Sequence, residues 1–259
     1  MRQKYDIVYS MGHDCACAMY MKSAHLRLCS GPFDWLAHSP FEKRIDLIIN
    51  DFQDFLNRDY LEPLEKRPDR PNDENCDYYA NTKTEVFFYH DFPIGVPLDE
   101  SYPAVLEKYN RRIKRFYDNI NKSKRVLIIY FSQFTTTPDD VVLDAANRVC
   151  KKFGKQIDFL IIEHAENVMP VVKRQIAKNV TRYSFHIQQY DENGKQALLG
   201  NQKLVKPIFL KYAARKPLST IIEREFRRRL SDVICMFLPF RTLRGKIKYR
   251  IRGRFNDVY

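Results

Sequence analysis

Five short runs of β-branched and aromatic residues, at 5–10, 84–89, 125–131, 157–162 and 182–188, punctuate this chain. Most are continuously apolar rather than alternating, the pattern of strands covered on both faces. Helical stretches separate them, at 15–28 and at 41–56 behind Pro40. Residues 102–121 carry Val105, Leu106, Tyr109, Ile113, Phe116, Tyr117 and Ile120 at helical spacing. Residues 139–153 begin after Pro138 and stop at Gly154, the usual asymmetry of helix ends. Strands alternating with helices predict an α/β fold built on a mostly parallel sheet flanked by helices.

Charge divides the chain in two. There are 44 Lys and Arg against 32 Asp and Glu, a formal +12. Residues 201–259 hold 16 of the basic residues and 4 of the acidic ones, so the whole excess lies there. The expected organisation is a neutral α/β body over 1–200 and a basic helical C-terminal segment over 201–259. Residues 57–83, polar and bearing Pro63, Pro68 and Pro71, read as a long loop or small excursion. No apolar run approaches the ~18–20 residues that cross a bilayer. The opening residues lack a signal peptide's apolar region, so a cytoplasmic location is expected. Six cysteines without framework spacing read as free thiols.

The first candidate site is Ser10-Met11-Gly12-His13-Asp14-Cys15-Ala16-Cys17, where the first strand gives way to the first helix. Gly12 permits a tight turn, and Asp14 is placed to cap the helix. Cys15 then falls in the first helical turn, where unpaired N–H groups and the helix dipole favour a thiolate. A buried, inert cysteine is the alternative, and helix packing is the expectation for Cys17. His13, Cys15 and Cys17 lack the spacing of a zinc site, and no second ligand pair follows, so neither metal nor cofactor is expected.

Two further strand ends carry imidazoles. His90-Asp91 closes the run at 84–89, and Glu163-His164 closes the run at 157–162. In a parallel sheet these ends share one edge with Cys15, where open α/β folds bind ligands. His90 is then the candidate partner of the thiol. Asp91, its neighbour in a strand, points to the opposite face. The turn Gly31-Pro32-Phe33-Asp34-Trp35 offers Asp34 either as a local turn cap or as a site carboxylate. Gly12, His13, Asp14, Trp35, Glu163 and His164 complete the expected substrate-binding surface.

Taken together these blocks resemble a bacterial family described as "putative papain-like cysteine peptidases", a name given to a domain of unknown function. The resemblance lies in Ser10-Met11-Gly12-His13-Asp14-Cys15, Pro32-Phe33-Asp34-Trp35-Leu36, Asn50-Asp51-Phe52-Gln53-Asp54-Phe55 and His90-Asp91-Phe92. Arg111-Arg112-Ile113-Lys114-Arg115-Phe116, followed by Val126-Leu127-Ile128, extends it. It implies Cys15 as nucleophile, His90 as its partner, and Asp34 or Asp91 as the carboxylate. The chain departs from the pattern at Met11, at His13-Asp14 and at Tyr130-Phe131-Ser132. The family name also implies a cysteine helix against an antiparallel sheet, whereas these segments read as doubly wound.

The resulting expectation is a cysteine-dependent hydrolase acting on a peptide, acyl or glycan substrate. The alternatives are a transferase or ligand-binding protein of surface-polysaccharide assembly without thiol catalysis, and a non-enzymatic interaction domain. Residues 217–240 place Ile221, Ile222, Phe226, Leu230, Val233, Ile234, Phe237 and Leu238 on one helical face among arginines. Arg241, Arg244, Lys246, Lys248, Arg250, Arg252 and Arg254 follow. A basic amphipathic helix with a polybasic stretch suits an anionic membrane surface, engaged through 217–254, and would hold the protein at the inner membrane's periphery. Nucleic acid is the weaker expectation because no motif for it is present. The remaining alternative is a helix packed on the body.

Overall fold

The computed structural model describes residues 2–37, 39–67, 73–215 and 218–236, with residues 243, 244, 247 and 251 beyond them. Pro68, Pro71, Pro217, Phe237, Leu238, Arg241, Lys246, Lys248, Arg250, Arg252 and Arg254 lie outside the described residues, as does the side chain of Ile221.

The chain opens with β1 (Gln3–Tyr5), β2 (Ile7–Ser10) and α1 (Cys15–Ser23). Next come β3 (Leu36–Ala37), α2 (Phe41–Ile49), β4 (Leu61–Leu64), β5 (Cys76–Asn81) and β6 (Val86–Pro93). The long α3 (Leu98–Lys122) leads to β7 (Val126–Ser132), α4 (Asp139–Phe153) and β8 (Asp158–His164). A hairpin of β9 (Val172–Ala177) and β10 (Val180–Phe185) precedes α5 (Gln202–Phe209), β11 (Tyr212–Ala214) and α6 (Leu218–Met236).

The central sheet has the order β2-β7-β8-β10-β9, parallel except for β9 at one edge. Every residue of β7 is buried, and its side chains serve two cores. Val126, Ile128 and Tyr130 face α2, α3 and α4, while Leu127, Ile129 and Phe131 face α1 and α5. Double coverage is why these strands read as continuous apolar runs. α4 stops where expected, with Gly154 left-handed at φ 61°.

A second sheet, β3-β6-β5-β4, is antiparallel. This corrects two expectations. The run at 84–89 belongs to this sheet and not to the parallel one, and its flanking polar segment, expected as a long loop or small excursion, contains the strands β4 and β5. In β5 and β6 buried and half-buried residues intermingle, because one face packs on α3 and the other is wet. Within 57–83, β4 is the edge of this sheet and β5 the strand inside it, and most residues of both are half-buried or exposed.

The helix expected to run to residue 56 ends at Ile49. Asp51, Phe52 and Asp54 adopt positive φ. Phe52 and Phe55 are buried among Phe33, Phe88, Tyr109 and Phe116, and burying both rings reverses the backbone. Burial of the two rings is worth about 3–6 kcal/mol, comparable to three left-handed residues at about 1–2 kcal/mol each.

At the other end, α5 buries Val205, Ile208 and Phe209 against α1, and β11 pairs in parallel with β1. Residues 202–214 thus pack against α1 and pair with β1. Among the described residues no helix is long and apolar enough to cross a membrane.

Candidate functional site

The β2–α1 turn is shaped by close packing. A Cβ on Gly12 would stand 2.3 Å from Cβ of Cys17, so the strand can pass the helix only with glycine there. Asp14 caps α1: Oδ1 accepts from the Ala16 N–H at 2.8 Å, and Oδ2 accepts from Nε2 of Gln196 at 3.0 Å. Cys17 is buried, its thiol donating to the Ile129 carbonyl. The buried His13 lends its carbonyl to Arg44, and its ring stands 6.1 Å from that of Phe134.

Cys15 is the first residue of α1 and is half-buried. Its thiol is pushed up to about 12, first by burial and then by the Asp14 carboxylate beside it. This reverses the sequence expectation of a stabilised thiolate. A helix dipole is worth about 0.3–1 kcal/mol at such a position, while desolvation of a buried ionisable group reaches about 3–5 pKa units. The aspartate that caps the helix also places an anion next to the sulfur.

His90 lies on β6, in the antiparallel sheet, and is exposed. Its Nδ1 is 3.0 Å from Oδ2 of Asp73, and its ring meets Trp35 edge-on with centroids 6.0 Å apart. Trp35 in turn carries the Arg27 guanidinium over its ring at 5.6 Å. Among the described residues no hydrogen bond or ion pair joins His90 to Cys15.

Neither carboxylate expected for His90 serves it. Asp91 points the other way, accepting from Nζ of Lys108 at 2.6 Å and from the Tyr109 hydroxyl at 3.0 Å. Asp34 is buried and accepts from Nε of Arg27 at 2.7 Å and from the Gly31 N–H at 3.0 Å. It ties the Gly31–Trp35 turn, and burial raises its pKa against the pull of Arg27.

At the end of β8, Glu163 is fully buried. It accepts from the Thr137 N–H and hydroxyl, and pairs with Arg182 at 2.7 Å. Its oxygens hold the β7–α4 connection and face no solvent. His164 accepts the Ile187 N–H at Nδ1, with the His186 ring 5.1 Å away. Burial and that second imidazole lower its pKa.

Sequence reasoning missed two residues. Asp73 carried no distinguishing signal within an acidic segment. Arg44 did carry one, being a charge on the apolar stripe Phe41, Arg44, Ile45, Ile48 of α2. It is fully buried with no carboxylate partner among the described residues. Nε donates to the Ser39 carbonyl and Nη2 to the His13 carbonyl, each at 3.1 Å, and Nη1 has no hydrogen-bond partner among the described residues. Burial pushes it down to about 10. Arg44 thus fastens α2 to the turn that presents Cys15. Among the described residues no three His, Cys, Asp or Glu converge as metal ligands.

The architecture is that of an α/β protein with a cysteine at the first strand–helix turn and an imidazole–carboxylate pair on an accessory antiparallel sheet. The chain belongs to the family described as "Putative papain-like cysteine peptidase (DUF1796)", which it matches over residues 6–167. That span runs from β2 through β8 and includes Cys15, Asp73 and His90. An uncharacterized protein of Acanthamoeba polyphaga mimivirus is 29% identical over 131 residues, covering 46% of this chain and 59% of that one. The alignment thus spans little more than half of that relative. No solved structure matches the chain with significance.

Proposed function

We propose that the chain is a cysteine-dependent hydrolase of the peptidase-like class, with Cys15 as nucleophile and His90 as general base oriented by Asp73. The His90–Asp73 bond carries this reading. A carboxylate on Nδ1 fixes the tautomer that leaves Nε2 as proton acceptor, and Trp35 limits the ring's rotation. The thiol proton would pass to Nε2 as sulfur adds to the scissile carbonyl carbon. The same proton would leave with the amine or alcohol, and water would release the acyl group from sulfur. This transfer requires the Cys15 thiol to come within hydrogen-bond reach of Nε2 of His90.

A second reading has no thiol catalysis, and the raised pKa of Cys15 fits its requirement that the thiol be inert. There the cysteine is structural, and the protein is a transferase or ligand-binding protein of surface-polysaccharide assembly. Labelling the full chain with a peptidyl epoxysuccinate, followed by mass spectrometry, separates the two. The hydrolase reading expects an adduct on Cys15, absent in Cys15→Ala and slowed about a hundredfold in His90→Ala. Equal labelling in His90→Ala, or adducts only on other cysteines, would favour the second reading.

A further inference from the structure

α6 turns five large apolar side chains to solvent. Ile222, Phe226, Leu230, Val233 and Met236 are 60%, 63%, 41%, 53% and 75% exposed. They recur at i, i+4, i+8, i+11 and i+14, a stripe covering about a third of the helix circumference. On the opposite side Ser231 and Cys235 are buried, and the Cys235 thiol donates to the Arg244 carbonyl. A helix packed on the body through its apolar face would show the reverse arrangement. Exposing a contiguous apolar stripe costs solubility and marks an interaction surface.

Charge identifies the occupant. Residues 241–254 contain seven Lys or Arg and no acidic residue, and Lys203, Lys206, Lys211, Arg215 and Lys216 precede the helix. A second copy docking on the same stripe would bring two such cationic segments together. A nucleic acid would satisfy the charges but leave the apolar stripe wet. A lipid surface with anionic headgroups accepts both, taking the apolar face into its acyl boundary and the lysines and arginines at its phosphates.

We propose that α6 is an interfacial helix that docks this protein on anionic lipid bilayers, with Ile222, Phe226, Leu230, Val233 and Met236 as the inserted face. The inference is independent of the chemistry at Cys15. It is tested by sedimenting the full chain with phosphatidylcholine vesicles containing or lacking phosphatidylglycerol. Binding is expected only to the anionic vesicles, weakening as salt rises. The double variant F226D/V233D changes only exposed side chains, so circular dichroism should report an intact body, and its partition should fall at least about tenfold.

Failure of the full chain to bind anionic vesicles at low salt would overturn the proposal. So would equal binding by F226D/V233D, which would leave charge as the sole determinant. A concentration-dependent dimer that F226D/V233D abolishes, without vesicle binding, would assign the stripe to a second copy instead.

Discussion

Nδ1 of His90 lies 3.0 Å from Oδ2 of Asp73, joining β6 to the segment just ahead of β5. That bond is the first cause holding the Asp73 carboxyl below its ordinary 3.8, ahead of the Asn75 N–H. A depressed carboxylate stabilises the fold above its ordinary pKa, and that contribution is lost as pH falls through the lowered value. Carboxyl-carbon NMR should therefore find Asp73 titrating below 3.8. In His90→Ala the midpoint should move up toward that value. An unmoved midpoint would mean that the pair does not form in solution.

The capping carboxylate sets the reactivity of Cys15. Asp14→Asn keeps a side-chain oxygen for the Ala16 N–H, and asparagine caps as well as aspartate. It removes the anion that ranks after burial in raising the thiol. Loss of a negative neighbour lowers a thiol pKa, so iodoacetamide should modify Cys15 several-fold faster in Asp14→Asn at neutral pH. In the parent protein the alkylation rate should climb with pH and show no plateau at pH 8–9. An inflection near neutrality would show a thiolate that the turn already stabilises.

The inner parallel strands β2, β7 and β8 were legible because each is buried along its length and so reads as an unbroken apolar run, whereas the exposed edge strand β9 gave no such run. β6 was assigned to the wrong sheet for the same reason. Val86 and Phe88 are as apolar as any parallel strand, and local sequence does not encode which neighbour a strand pairs with. His90 followed its strand into the accessory sheet, which removed the argument for a shared edge with Cys15. Cys15, Gly12 and Asp14 were legible because a turn, a cap and a first helical turn are local. Asp73 was not, because its pairing with His90 depends on the β5–β6 register. α2 held a clue of another kind, a charge where helical periodicity demands an apolar residue.

That charge, Arg44, has a definite energetic signature. Arg44→Ala strands the Ser39 and His13 carbonyls and opens a cavity, which should cost about 2–5 kcal/mol in urea denaturation. Arg44→Met fills most of the volume and removes a buried cation with no carboxylate partner among the described residues. It should cost clearly less than alanine, because the desolvation penalty of the guanidinium disappears with it. Equal losses in the two variants would mean that the two carbonyl bonds, and not packing or charge, account for the role of Arg44.

Glu163 makes a sharper case because its pairing and its titration pull in opposite directions. It is bonded to Arg182 and to both donors of Thr137, yet burial still holds its pKa above the ordinary 4.5. Arg182 also pairs with Asp139 and bonds the Thr137 carbonyl, so it does not depend on Glu163 alone. A raised carboxyl pKa means that the folded state binds more protons than the unfolded chain. Stability attributable to Glu163 therefore falls as pH rises from 4.5 through the folded value. His164 acts in another window: with its pKa lowered below 6.5, it makes stability rise with pH up to that point. Comparing the parent with Glu163→Gln cancels the His164 contribution. Glutamine keeps an acceptor for Thr137 and Arg182 without the charge. The stability gap between parent and Glu163→Gln, measured by urea unfolding, should shift in favour of the variant as pH rises from 4.5 to neutrality. A shift in favour of the parent over that range would show that attraction to Arg182 outweighs the cost of burying the carboxylate.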